Sequence, residues 1–142
     1  MKGNSLIKVK LKPHIPLTDA NNIVQRKIDL RDLFERTIAA RYNLEEVKSA
    51  CRDKRLYVDL LFSLLQSTED GRSKKDLDNM MKVVLDVLPE RMVADGTPIS
   101  QTGLGLIANN RDDLIFEIHC EKKIVSDEAQ EGIELEIDEH ND

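Results

Sequence analysis

The chain contains no tryptophan, and aromatic residues make up 4% of its 142 positions. That scarcity argues against a stacking platform for single-stranded nucleic acid, which depends on aromatic faces. Two cysteines, Cys51 and Cys120, lie far apart without C-x-x-C spacing. Neither a zinc site nor a disulfide framework is indicated. No apolar run approaches the roughly 20 residues that span a bilayer, so no membrane partner is expected. The opening MKGNSLIKVK lacks the apolar stretch of a secretory signal, and a cytoplasmic location is the expectation. Internal repeats and low-complexity segments are also missing.

What is present is a charge-rich globular composition, 40% hydrophobic and 34% charged. The length fits a single domain, 1–142, able to bury roughly two-thirds of its unfolded surface. The net charge of -6 is unevenly placed: eight of the 27 acids lie in 126–142, which has no Lys or Arg. The remaining 1–125 holds 19 acids against 21 bases, a net of +2. A solvated acidic end that aids solubility is the plain explanation.

Hydrophobic spacing gives the element order. Residues 6–12 alternate Ile7, Val9 and Leu11 with Lys8, Lys10 and Lys12, the pattern of a half-buried strand, closed by Pro13 and Pro16. The three lysines form either a solvated strand face or a second basic stripe. Residues 28–42 and 44–54 read as helices, and 56–65 as a central strand. A turn at 67–73 is marked by Asp70-Gly71. Residues 76–92 are the clearest helix, with Leu77, Met80, Met81, Val84 and Leu88 in one apolar stripe, and Pro89 bends or ends it. A Gly-containing connection, 95–110, leads to a strand at 114–125 and, after a loop, to a strictly alternating strand at 133–138, expected at a sheet edge. The fold class is α+β: one mixed or antiparallel sheet with helices packed on it.

The segment KKDLDNMMKVVLDVL carries the chemistry. Asp78, Lys82 and Asp86 share a helix face at four-residue spacing, and Asp76 stands at the helix start, where a carboxylate can cap free N–H groups. Asp76 and Asp78 can therefore converge at the helix N-terminus with Lys82 one turn on. Adjacent carboxylates repel unless a cation lies between them, and a hard ion such as Mg²⁺ fits oxygen donors. Each part has a plainer role: an N-cap for Asp76, an exposed ion pair for Asp78 and Lys82, a polar turn for Asp112-Asp113. His14, His119 and His140 lack metal-ligand spacing, and the lone Gly103-x-Gly105 is no nucleotide fingerprint.

Lys75-Asp76-Leu77-Asp78-Asn79-Met80-Met81-Lys82, then Val84-Leu85-Asp86-Val87-Leu88 and Asp112-Asp113-Leu114-Ile115, resembles the RusA family of Holliday-junction resolvases. Its pattern is basic-D-x-D-N-x-x-K, an aliphatic run with D-x-L, and D-D before a strand. The resemblance covers roughly 56–139. It implies a homodimeric Mg²⁺- or Mn²⁺-dependent endonuclease that hydrolyses phosphodiesters of branched DNA at four-way junctions, in recombination and repair. Asp76, Asp78 and Asp113 match the metal-binding acids. Lys82 matches a catalytic lysine at the scissile phosphate. Arg72, Lys74 and Lys75 would hold the DNA backbone. The 34 residues between Asp78 and Asp113 exceed the family spacing, which points to an insertion within 89–110 and leaves Asp112 and Asp95 as alternatives for the third acid. Two other functions fit the same motif: a non-catalytic RusA-like module that binds nucleic acid or protein, and a phosphoesterase acting on another branched nucleic acid.

Overall fold

The computed structural model describes residues 2–18, 23–66 and 75–141. The elements are β1 (Lys2–Leu11), α1 (Ile23–Ala39), α2 (Leu44–Cys51), β2 (Leu56–Leu65), α3 (Leu77–Val87), β3 (Arg91–Ala94), β4 (Thr97–Thr102), β5 (Ile115–Val125) and β6 (Gly132–His140). Single 3-10 turns precede β5 (Asp112–Leu114) and β6 (Glu128–Gln130). The expected turn at 67–73, and most of the polar loop before α1, lie outside the described residues.

The α+β reading holds. The main sheet has the order β1-β6-β2-β5, with β2 and β5 parallel and the other neighbours antiparallel. A parallel pair needs a long crossover, and here it carries α3 and a β3–β4 hairpin. The helices cover one sheet face. Ile7 and Val9 of β1, Leu60 and Phe62 of β2, and Leu135 and Ile137 of β6 are buried in one core with Phe34 and Ile38 of α1. Each such side chain contributes about 1.5–3 kcal/mol on burial.

Three expectations need correction. First, β6 is an internal strand between β1 and β2, and β1 and β5 occupy the edges. Alternation reports that one face is buried and one is wet, which an internal antiparallel strand also satisfies. Second, α3 ends at Val87 instead of running to Met92. Pro89 supplies no N–H and disfavours helical backbone before it. The open carbonyls of Val87 and Leu88 accept from Leu104 N (2.7 Å) and Leu106 N (2.9 Å). Third, 89–110 is no open connection. It forms the β3–β4 hairpin, turning through Asp95 (φ 52°) and Gly96 (φ 76°), then returns beneath α3 with Leu104 and Leu106 fully buried. A side chain at Gly103 would collide with the Pro89 carbonyl oxygen.

The acidic C-terminal strand is largely answered by β1. The register sets Lys8 against Glu136 and Lys10 against Glu134. Lys10 and Lys12 reach Glu134 at 3.6 and 3.0 Å, and Lys2 reaches Glu136 at 3.4 Å. The lysines of β1 are thus part of a mixed-charge sheet face and form no separate basic stripe. Within the same end, the buried Glu131 carboxylate accepts from Leu65 N at 2.9 Å.

Candidate active site at the start of helix α3

Asp76 occupies the N-cap of α3 with extended backbone, and its carbonyl accepts from Met80 N at 3.1 Å. Its side chain makes no capping bond. Asp78 lies in the first turn and Lys82 one turn further, and all three side chains are exposed. Asp78 and Lys82 form no ion pair with each other, and none of the three has a side-chain partner among the described residues. The plain roles of cap and i,i+4 pair are therefore not taken up. The helix N-terminus, with its partial positive charge, offsets part of the repulsion between the two carboxylates.

Asp113 sits in the 3-10 turn that opens β5, the strand on which α3 packs. Arg111 holds it in a fork, Nε donating to Oδ1 at 2.9 Å and Nη2 to Oδ2 at 3.3 Å. These bonds keep the Asp113 carboxyl below the ordinary carboxylate range and raise the guanidinium in turn. Asp112 and Lys82 line one cleft between α3 and the hairpin. Asp95 stands in the hairpin turn, beside a second hollow that Lys82 and Asp86 also line. Among the described residues no three acid, histidine or cysteine side chains are gathered closely enough to hold a metal ion together.

Of the basic residues expected to hold DNA, Arg72 and Lys74 lie outside the described residues. Lys75 is half-buried and its Nζ donates to the Pro16 carbonyl at 2.7 Å, while Lys122 Nζ donates to the Lys75 carbonyl at 3.1 Å. That lysine fastens the chain after β1 to the start of α3.

The sequence reading missed what anchors the other end of α3. Lys27, 2% exposed, donates through Nζ to Asp86 Oδ2 at 2.8 Å and to the Val93 carbonyl at 3.1 Å. One ammonium thereby ties α1, α3 and the hairpin together. The signal was present: Lys27 falls on the buried stripe of α1 with Leu30, Phe34 and Ile38, but a lysine at such a position reads as the polar margin of the stripe. Arg31 adds a second tie, from Nη1 to the Thr102 carbonyl at 2.7 Å.

No protein-family model matches the chain, and no solved structure matches it. Among curated proteins it is similar to the crossover junction endodeoxyribonuclease RusA of Aquifex aeolicus (strain VF5), 32% identical over 93 residues. The match covers 66% of this chain and 56% of the relative, so the chain spans little more than half of that protein's length. The likeness to the RusA family read from the motif is supported by this relative.

Proposed function

We propose that the protein is a metal-dependent endonuclease that cuts four-way DNA junctions. One observation carries the reading: the two carboxylates of the D-x-D-N motif stand exposed and unpartnered at the N-terminus of α3, in a chain similar to a RusA crossover junction endodeoxyribonuclease. By contrast Asp86, at the other end of the helix, is paired with Lys27.

The donor set fits a divalent ion in kind. Asp76, Asp78 and Asp113 offer only hard carboxylate oxygens, the donors Mg²⁺ and Mn²⁺ favour. Asp113 is presently held by a cation, so ligation by it exchanges a guanidinium for an ion. When bound, the ion supplies a water nucleophile of lowered pKa and stabilises charge on the phosphoryl oxygens. Lys82, one turn along α3, places a free ammonium where the scissile phosphate gains charge. Lys75, with Arg72 and Lys74, holds the DNA backbone. A homodimer sets two such sites across a symmetric junction and matches paired nicks. A cytoplasmic role in recombination and repair accords with that substrate, and 1–142 acts as one nuclease domain.

The test is cleavage of a labelled four-way junction and a matched linear duplex, with Mg²⁺, with Mn²⁺ and with chelator, for the wild type and Asp76→Asn. Paired, metal-dependent nicks in the junction alone, lost in the variant, are expected. Tight junction binding without cleavage under any metal would favour the non-catalytic module instead.

A further inference from the structure

The hairpin is the part of the chain that the family pattern does not account for, and it builds one wall of a cleft of about 280 Å³. The opposite wall is α3, and the end of the cleft is the turn that carries Asp112. Its floor is aliphatic, formed by Leu85, Val93 and Ile107, while Lys82, Arg91 and Arg111 stand around it. Three cations thus stand at one small cleft. Two acids also line it, and only one is open: Asp86 is engaged by Lys27, which leaves Asp112. Among the described residues the side chains of Arg91 and Lys82 have no acidic partner.

The walls are also fixed. Lys27 bolts β3 to α3 through Val93 and Asp86. Asn109 Oδ1 accepts from Arg91 N at 2.9 Å, which joins the strand bearing Arg91 to the returning segment. The Arg91 backbone is thus held in place while its exposed guanidinium is free to bind. Arg111, at the end of the cleft, is bonded to Asp113.

Building on the nuclease reading above, we propose that this cleft seats one phosphodiester strand of the branched DNA, with Arg91 as a positioning contact for a phosphate next to the one that is cut. A space of this size lies near the lower end of small-ligand pockets, about 300–1,000 Å³, and admits a nucleotide unit, not a duplex. Sugar and base edges lie on the aliphatic floor, and the phosphate meets a guanidinium suited to bidentate contact. The contact reads no sequence, because phosphates position and bases specify.

The experiment is fluorescence anisotropy with a labelled four-way junction and a labelled single-stranded oligonucleotide, in chelator, across a salt series. Arg91→Ala is expected to weaken both by about tenfold and to lower the salt slope by about one phosphate contact. Arg91→Lys should keep most of the slope, and Arg41→Ala, an exposed arginine beyond α1, should match the wild type. Equal affinity and slope for Arg91→Ala and wild type would overturn the proposal while leaving the nuclease reading standing. Wild-type protein that binds neither DNA would overturn that reading and this one with it. Amide NMR of the unaltered chain gives a second readout: adding the oligonucleotide should shift Gly96, Asn109 and Asn110, and unmoved signals there would refute the site.

Discussion

The two ends of α3 carry the same kind of residue in opposite circumstances. At the C-terminal end, Asp86 is mostly buried and meets the buried ammonium of Lys27. The last helix carbonyls there are taken up by the returning segment. At the N-terminal end, Asp76 and Asp78 are exposed, and among the described residues no side-chain bond satisfies either carboxylate. One end is closed by the protein's own groups, and the other is open to solvent. At the open end the helix N-terminus offsets part of the repulsion between the two acids and leaves their oxygens to solvent.

The strongest way to break this comparison is to neutralise the open end. Asp76→Asn and Asp78→Asn should each lower junction cleavage by about a hundredfold or more, the scale of removing transition-state charge stabilisation. Loss of a helix-dipole contact should cost below about 1 kcal/mol in stability. Single-turnover cleavage and thermal melting separate the two effects. A large drop in melting temperature with little loss of cleavage would reverse the roles assigned to the two ends.

The closed end should respond in the opposite sense. Lys27→Met removes the buried ammonium that meets Asp86 and the Val93 carbonyl and should destabilise the fold by about 3 kcal/mol. Urea unfolding would register this as a lower midpoint at unchanged slope. Lys27→Met with Asp86→Leu should recover most of that loss, because replacing both partners of a buried pair by apolar groups removes the desolvated charges. Failure to recover would mean that the tie to the Val93 carbonyl matters more than the ion pair.

A finer test concerns Asp113, which is exposed yet held by Arg111. Arg111→Gln should raise the Asp113 titration midpoint toward the ordinary carboxylate value, read by carboxyl-carbon NMR. Because the folded-state pKa is lowered, the pair's contribution to stability is present above the ordinary range. It is lost as pH falls through the lowered value. An unchanged midpoint would show that Arg111 does not hold the carboxylate in solution. The smallest effect is expected on the mixed-charge sheet face. Lys10→Gln should change stability by no more than about 1 kcal/mol, as exposed ion pairs do, and chemical denaturation would reveal anything larger.

Much of this was legible in the chain itself. Strand β2 was read from residues 56–65 with its ends in place, because a dense apolar run bounded by polar residues leaves little freedom in where it starts. The alternations of β1 and β6 identified their inward residues, and the D-x-D-N motif located the start of α3 and the acids on it. Helix α1 begins five residues before its expected start, at Ile23, because Lys27 was not recognised as part of its buried stripe. The hairpin was missed because its strands are four and six residues long, too short for alternation to emerge, and its turn, Asp95-Gly96, lay inside what read as a connection.

Phe116 and Ile118 of the alternating set on β5 are exposed, whereas the sequence alone determined the inward faces of β1 and β6 and the place of the acids on α3. Both follow from local periods of two and 3.6 residues that no distant contact needs to supply. Only the tertiary structure decided which charges are answered. Lys27 lies 59 positions from Asp86, and Lys10 meets Glu134 only because β6 inserts beside β1. Charge pairing depends on distances of a few ångströms between residues remote in the chain. A one-dimensional pattern carries no information on those distances, and so it could not distinguish the closed end of α3 from the open one.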